Sequence, residues 1–260
     1  MIKILSGWGD IGGSTTAFIN LVNLFNNNGI DTTFYTSHLW HYDMCKSDSI
    51  YNFKSNINDI VIIHVLNPPS KPSCKKCILS SHEHEIFPIK NTNYKMYDKI
   101  HYVSEHQKNW HGVDYPSFVI PNVISKLNIN NKPDIKIGGV IGSIDENKQT
   151  HISIQKALED KCDKIYIYGT ISDMNYYKVY VEPFIDNIKV VYSGYCNNKQ
   201  YMWDSITDVY HYSKRETYGY IYIEALNTNT IFHGSGSVHD IEIWNDEKIL
   251  NSWKKELEID

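Results

Sequence analysis

The sequence lacks the features that mark several large protein classes. No apolar run approaches the roughly 18 residues of a membrane-spanning helix, and the longest, residues 60–66, already contains His64. The N-terminus lacks the apolar stretch of a signal peptide, and five cysteines in 260 residues do not suggest a disulfide scaffold. The formal net charge of −5 argues against a general nucleic-acid binder. We therefore expect a globular, cytoplasmic protein with no transmembrane segment and no nucleic-acid partner.

Two common catalytic motifs are also missing. The chain has no G-x-x-x-x-G-K-[ST] loop, which excludes a P-loop kinase or ATPase. It has no G-x-S-x-G turn either, which disfavours an α/β-hydrolase. The hydrophobic fraction of 42% is nevertheless high enough for a substantial core.

Apolar strands alternate with helical patterns along the whole chain. The first half runs from a strand at residues 2–5 to one at 117–120, and a similar series begins at residue 136. Between them, KLNINNKP has the polar composition of a linker. This pattern predicts an α/β protein with two Rossmann-like domains whose parallel sheets face a central cleft. The predicted segments are domain 1–125, linker 126–134, domain 135–245 and a C-terminal helix at 246–260.

A glycine-rich loop follows the first predicted strand. Gly7-x-Gly9-x-x-Gly12 matches a dinucleotide-binding fingerprint, whose glycines let a pyrophosphate approach a helix N-terminus. However, no carboxylate follows the second strand, where an NAD-dependent oxidoreductase needs one for the ribose. A tight turn, or a loop through Gly12 and Gly13 that sits against a phosphate or sugar, stays open as an interpretation.

Two carboxylates flank a helix start in the second half. Glu216 is predicted in a loop and Glu224 inside the following helix, so both can face the same cleft. Ionised carboxylates accept hydrogen bonds from vicinal hydroxyls. The helix start at Thr217, Tyr218 and Gly219 suits a diphosphate.

These residues resemble the retaining nucleotide-sugar glycosyltransferases of family 4, which have the GT-B fold. The resemblance extends over nearly the whole chain. Its motifs are Gly12-Gly13, YVSEHQ at 102–107, VIPN at 119–122, residues 142–148, and above all Glu216 and Glu224.

The resemblance implies a role for each matching residue. Glu216 would contact the hydroxyls of the donor sugar, Glu224 those of the ribose, and Lys148 the diphosphate. The amides of residues 217–219 would bind phosphate and sugar. His82 is similar to the active-site histidine of the family, and His64 is a second candidate.

The chain departs from the family pattern at a few positions. Ser143 stands where the family usually has an arginine, and Arg215 is our candidate to supply that charge, with a surface salt bridge as the alternative. Asn229 and Ile231 replace the usual Gly and Pro. A non-catalytic nucleotide-sugar-binding protein therefore remains an alternative, and an NAD-dependent oxidoreductase a weaker one.

We expect no metal and no cofactor besides the sugar donor. The chain has no Asp-x-Asp pair to hold a divalent ion on a diphosphate, so Lys148 and helix amides would supply the positive charge. Cys74 and Cys77, with His82 and His84, have the residue types of a zinc site, but reduced thiols are the preferred interpretation. The expected reaction moves a hexose from a UDP- or GDP-sugar to a hydroxyl of a glycan, glycoprotein, lipid or small molecule.

Overall fold

The chain folds into two compact units. The structure, a computed structural model, describes residues 1–9, 12–38, 43–66, 68–83, 93–234 and 242–259. Unit 1 comprises Met1–Ile124 and Glu242–Asp260, and unit 2 comprises Ser125–Ile241. Among the described helices, none has both the length and the apolar character needed to cross a bilayer.

Unit 1 is built on a parallel sheet of seven strands in the order β3-β2-β1-β4-β5-β6-β7. The sequence of β4 explains its central position in this order. All five residues of IVIIH are buried, as expected for an interior strand that is covered on both faces. The strands are β1 Ile2–Ser6, β2 Thr32–Thr36, β3 Ser47–Ser49, β4 Ile60–His64, β5 Lys76–Ser81, β6 Lys99–Tyr102 and β7 Ser117–Val119.

Within the described part of unit 1, the α-helices α1 and α2 connect these strands. α1, Gly13–Asn27, buries Phe18, Val22 and Phe25 at helical spacing. α2, Glu105–His111, begins with a cap in which the Ser104 side chain accepts a hydrogen bond from the Gln107 amide. It ends at Gly112, whose φ of 55° is left-handed.

Unit 2 has a parallel sheet of five strands in the order β10-β9-β8-β11-β12. The strands are β8 Ile137–Ile141, β9 Lys164–Tyr168, β10 Val190–Gly194, β11 Asp208–His211 and β12 Ile231–Gly234. The connecting helices are α3 Thr150–Glu159, α4 Met174–Tyr176, α5 Lys199–Asp204 and α6 Tyr220–Asn227. The chain therefore starts at the middle strand, β8, builds one side of the sheet, and then returns to add β11 on the other.

The boundary between the units lies just before the predicted linker. Residues 126–134 are bonded to unit 2: the Asn128 amide donates to Gln200 Oε1 at 2.8 Å, and Lys132 Nζ donates to the Trp203 carbonyl at 2.6 Å. Leu127 packs against the unit 2 core. This segment is polar because it lies on the surface of unit 2. Unit 2 therefore begins at Ser125, before the predicted linker.

The last helix, α7 (Asp246–Leu257), belongs to unit 1. Ile249, Trp253 and Leu257 recur every four residues and are at most 1% exposed. The Trp253 ring packs against Phe25 and Phe118, with ring centroids 6.2 and 5.4 Å away. The core of unit 1 is therefore completed by residues that follow unit 2 in the chain.

We expect Trp253→Ala to lower the free energy of unfolding of unit 1 by about 3–5 kcal/mol, because it leaves a large cavity in this core. Denaturant unfolding followed by circular dichroism measures the change. Trp110→Ala is the matched control, because Trp110 is 55% exposed and its removal should cost less than about 0.5 kcal/mol. Equal effects of the two substitutions would contradict the placement of α7.

Candidate functional site

The candidate site lies at the carboxyl edge of the unit 2 sheet, between β8 and β11. These neighbouring parallel strands lead into α3 and α6 through the loops at residues 142–149 and 212–219. The order of strands reverses here, and open α/β sheets commonly bind ligands outside the carboxyl ends of the strands at such a point.

Close backbone contact shapes the loop after β8. Gly142 and Gly169 have φ values of 139° and 153°, which side-chain-bearing residues rarely adopt. A Cβ atom on Gly169 would lie 1.8 Å from the Gly142 carbonyl oxygen. Asp145 then closes the loop, because its carboxylate accepts from the Lys148 amide at 2.9 Å and from Ser143 Oγ at 2.5 Å.

Hydrogen bonds hold the loops after β8 and β11 against each other. The Asn147 carbonyl accepts from the Lys214 amide at 2.8 Å and from Ser213 Oγ at 3.3 Å. The Lys214 side chain also pairs with Glu146 at 2.6 Å. The two loops therefore form one surface, and side chains from both are brought together.

Lys148, His211 and Glu216 meet on this surface. Lys148 Nζ lies 2.5 Å and His211 Nε2 2.6 Å from the same oxygen, Oε1 of Glu216. The side chains of Glu216 and His211 are only 16% and 5% exposed. Since an ionised carboxylate only accepts hydrogen bonds, both nitrogens act as donors. Lys148 and Glu216, which the sequence predicted for one site, are thus in direct contact.

The surroundings of Glu216 keep its carboxyl ionised. Burial by itself would raise the pKa of Glu216, but the charge of Lys148 and the hydrogen bond from His211 hold the pKa well below its ordinary value. The site therefore presents a fixed negative charge next to a fixed positive one. Such a pair can accept hydrogen bonds from hydroxyls and attract a phosphate at the same time.

The start of α6 adjoins this pair in sequence. Gly219 precedes the helix with a left-handed φ of 75°, and Tyr218 is buried. Arg215 is exposed, and its carbonyl accepts a hydrogen bond from Ser213 Oγ at 2.9 Å. The roles predicted for Thr217, Tyr218, Gly219 and Arg215 in binding a donor stay predictions.

Glu224 is buried in α6, and its carboxylate is hydrogen-bonded to two side chains of α5. Its Oε1 lies 2.5 Å from Lys199 Nζ, and its Oε2 accepts from Trp203 Nε1 at 3.1 Å. The Glu224 side chain is 2% exposed, whereas that of Lys199 is 35% exposed. Lys199 therefore lies on the solvent side of this buried carboxylate.

The remaining predicted residues, Gly12, Gly13 and His82, belong to unit 1. Gly12 caps α1 in extended conformation, and a Cβ added there would meet no atom within 4 Å. At Gly7 and Gly9, by contrast, a Cβ would lie 2.5 Å from the Val65 carbonyl and 2.2 Å from Thr36 Oγ1. The protein's own packing thus accounts for two of the three glycines in the dinucleotide fingerprint.

His82 follows β5 inside a buried row of histidines. Its Nε2 lies 3.1 Å from Ser80 Oγ, which also bonds His101 Nδ1 at 2.8 Å. Burial lowers the pKa of His82 well below its ordinary value, and the nearby His64 and His101 add to this effect. His82 is therefore neutral at physiological pH. A cavity of about 10 Å³, lined by His82, His101, Asn122 and Trp253 among others, leaves room for about one water.

His64, the second histidine candidate, ends β4 with both ring nitrogens engaged. Its Nδ1 lies 2.8 Å from Ser6 Oγ, and its Nε2 lies 2.8 Å from Glu83 Oε1. The Trp8 amide in turn donates to Ser6 Oγ at 3.1 Å. His64 thereby ties the loop after β1 to the segment after β5.

The residues considered as an alternative zinc site do not come together among the described residues. Cys77 and His82 are five positions apart along the extended β5, a distance of about 16 Å, so they cannot share one ion. Burial raises the pKa of the Cys77 thiol to about 12. His84 lies outside the described residues.

Another group of metal-ligand type, Asp160, Asp208 and His233, lies in unit 2. His233 Nε2 is 2.7 Å from Asp208 Oδ1, and Asp160 Oδ2 binds both Lys136 Nζ and the Tyr210 hydroxyl at 2.5 Å. The Lys136 ammonium already supplies a positive charge to both carboxylates. This group is therefore a satisfied ion-pair network.

The sequence did not single out three residues that contact the predicted site residues. His211 and Lys199 bond Glu216 and Glu224, and Asp145 bonds the Lys148 amide. His211 could have been found as a polar residue at the carboxyl end of a predicted strand, five positions before Glu216. Asp145 lies within the family-like stretch 142–148. Nothing in the sequence pairs Lys199 with Glu224, because they lie on different helices.

Comparison with known proteins supports the fold. No protein-family model and no curated protein sequence matches the chain. A structure of HepE from Anabaena in complex with UDP and glucose is similar with a TM-score of 0.65 and 12% identity, covering 90% of this chain and 80% of that one. WaaG, a glycosyltransferase involved in lipopolysaccharide biosynthesis, gives 0.64 and 12%, covering 99% and 90%.

WaaB, a lipopolysaccharide outer core galactosyltransferase, is similar with a TM-score of 0.57 and 14% identity, covering 96% of this chain and 87% of that one. This chain has two parallel sheets, of seven and five strands, in an α/β arrangement that matches such structures. The chain thus has the GT-B fold of glycosyltransferases, as the sequence predicted.

We expect the Glu216 carboxylate to make stability depend on pH. Its pKa is lower in the folded than in the unfolded chain, so its contribution is complete above the ordinary pKa of about 4.3 and is lost as the pH falls through the folded-state value. Glu216→Gln should therefore flatten the fall of Tm with decreasing pH below about pH 5, and should leave the slope between about pH 7 and pH 5 unchanged. Glu159→Gln, at a 64% exposed carboxylate, is the control. An unchanged slope below about pH 5 in Glu216→Gln would show that this ion pair does not form.

Proposed function

We propose that the protein is a retaining, metal-independent glycosyltransferase that moves a hexose from a UDP- or GDP-sugar to an acceptor hydroxyl. The observation that carries this proposal is the Lys148–Glu216 pair, held at the reversal point of the unit 2 sheet in a GT-B fold. A nucleotide diphosphate sugar has an anionic part and a hydroxyl-rich part, and this pair offers a partner for each.

The proposed chemistry assigns a separate task to each charge. Lys148 neutralises the diphosphate, which gains negative charge as the bond to the sugar breaks, with the amides at residues 217–219 as further partners. Glu216 accepts hydrogen bonds from the sugar hydroxyls and fixes the ring while positive charge develops on it. Both side chains are preorganised by Asp145, Asn147 and His211, so little reorganisation is required.

Metal independence is proposed from the charges that the chain supplies itself. The Lys148 side chain is 26% exposed, and its ammonium lies 2.5 Å from Glu216 Oε1. An ammonium and backbone amides can stabilise a departing diphosphate without a divalent ion. Arg215 is the proposed second cation where Ser143 replaces the family's arginine.

UDP is the first nucleotide to consider, because HepE has been crystallised with UDP and with UDP-glucose. The proposal specifies a hexose as the transferred sugar and a hydroxyl as the acceptor group, and it names no particular hexose, acceptor molecule or linkage. A cytoplasmic location belongs to it as well, and the five free cysteines are consistent with a reducing compartment.

A nucleotide-sugar-binding protein without transferase activity is the second candidate. The departures at Ser143, Asn229 and Ile231 favour it, because positions that carry other residues in the transferase family are changed in this chain. An NAD-dependent oxidoreductase has less support, because internal packing explains Gly7 and Gly9.

Titration calorimetry with UDP and UDP-glucose, and with the GDP, ADP, CDP and dTDP counterparts, tests the proposed site. We expect Lys148→Met to weaken binding of the nucleotide and of its sugar conjugate about 10- to 100-fold, since a charged phosphate contact is lost. Glu216→Gln should weaken only the sugar conjugate. Lys156→Met, at an exposed lysine paired with Glu159, is the matched control and should bind both as the wild type does.

Turnover separates the two candidate functions. Donor hydrolysis, or transfer to added acceptors, identifies a transferase, whereas binding without turnover under either condition identifies a binding protein. If no nucleotide binds the wild type, the proposal is wrong.

The proposed part of His82 in catalysis can be tested separately. His82 is neutral and buried, so its proposed part is that of a positioning residue that acts through hydrogen bonds and not through charge. We expect His82→Asn to lower kcat at least about 10-fold and to leave the affinity for UDP unchanged. If His82→Asn keeps the wild-type kcat, the role of His82 is structural, through its hydrogen bond with Ser80.

A further inference from the structure

One buried hydroxyl, four positions before Glu224 on α6, makes no hydrogen bond within the described residues. The Tyr220 hydroxyl oxygen, at the first residue of α6, is buried, and it makes no hydrogen bond to any described residue. Buried polar groups in folded proteins are nearly always bonded, because the loss of water must be compensated. An unpartnered hydroxyl therefore indicates a position that a ligand or a water fills.

The surroundings of this hydroxyl point to a ligand that itself carries hydroxyls. Burial raises the pKa of Tyr220 well above its ordinary value, and nearby Tyr218 and Glu224 add to the effect, so Tyr220 stays protonated beside a carboxylate. A neutral phenol can donate and accept, whereas the carboxylate only accepts. Two adjacent hydroxyls of one ligand can satisfy both groups at once.

The Lys199 side chain lies beside both Glu224 and the Tyr220 ring, and it is free to change its conformation. Its ammonium lies 2.5 Å from Glu224 Oε1 and 5.9 Å from the centroid of the Tyr220 ring. Its side chain is 35% exposed and ends a flexible four-carbon stem. A ligand can thus displace the Lys199 head group toward solvent without moving a backbone segment.

We propose that Tyr220 is a further binding residue for the vicinal diol of the ribose, acting beside Glu224, with Lys199 as the side chain that the diol displaces. This inference rests on the proposed function, which assigns Glu224 to the ribose, and it adds Tyr220 as the residue that distinguishes ribose from sugars lacking the diol.

The test compares UDP and GDP with their 2′,3′-dideoxy analogues by titration calorimetry. Tyr220→Phe removes only the hydroxyl, and it should bind the ribonucleotide about 5- to 20-fold more weakly while its affinity for the dideoxy analogue stays unchanged. Its Tm without ligand should equal or exceed that of the wild type, because the deleted hydroxyl made no bond there. Tyr222→Phe, two residues along α6, removes a second phenol hydroxyl and is the matched control; it should bind the ribonucleotide and the dideoxy analogue as the wild type does.

The other outcomes overturn the inference in distinguishable ways. If the wild type binds UDP or GDP and Tyr220→Phe binds it equally well, the hydroxyl bonds only water, and the proposed function stands. If Tyr220→Phe lowers Tm and weakens both ligands alike, Tyr220 is structural. If neither nucleotide binds the wild type, the proposed function fails together with this inference.

Discussion

The parallel pairing of β8 with β11 is the constraint on which the candidate site depends. Because both strands end at the same edge of the sheet, the loops that follow them must lie side by side. Hydrogen bonds to the Asn147 carbonyl then fix one loop against the other. Lys148 and Glu216 are 68 positions apart in sequence, yet this pairing brings them into contact. A register shift between the strands would separate the two charges and expose each one singly.

Much of the fold could be predicted because its signals are local. Apolar strands alternate with helical spacing throughout. The last helix begins at the predicted residue, Asp246, and ends at Leu257, three residues before the predicted end. The GT-B fold, first suggested by a resemblance at a few motifs, is confirmed by the structural neighbours. That Lys148 and Glu216 share one site was likewise predicted, and the structure brings them together, whereas their roles toward a ligand stay predictions.

The features that the sequence did not reveal depend on tertiary contacts. β3 is a polar tripeptide, Ser47–Ser49, that becomes a strand only because it pairs with β2 at the sheet edge. Residues 126–134 have the composition of a free linker, but their hydrogen bonds to α5 attach them to unit 2. His211 has no helical or strand periodicity that distinguishes it from a core position. Its place near the carboxyl end of a strand marks it as a candidate, but its partner, Glu216, is identified only by the structure.

The position of α7 has a consequence for the order in which the chain acquires structure during synthesis. Unit 2 is continuous in sequence, so all residues of its core have been made once residue 241 has been added. Unit 1 begins first but still lacks Ile249, Trp253 and Leu257 at that time. Until these arrive, the surface of α1 that they cover stays exposed to water. Unit 1 is therefore synthesised first, but its core is completed last. A chain that stops before α7 would contain all residues of the unit 2 core and an incomplete unit 1 core.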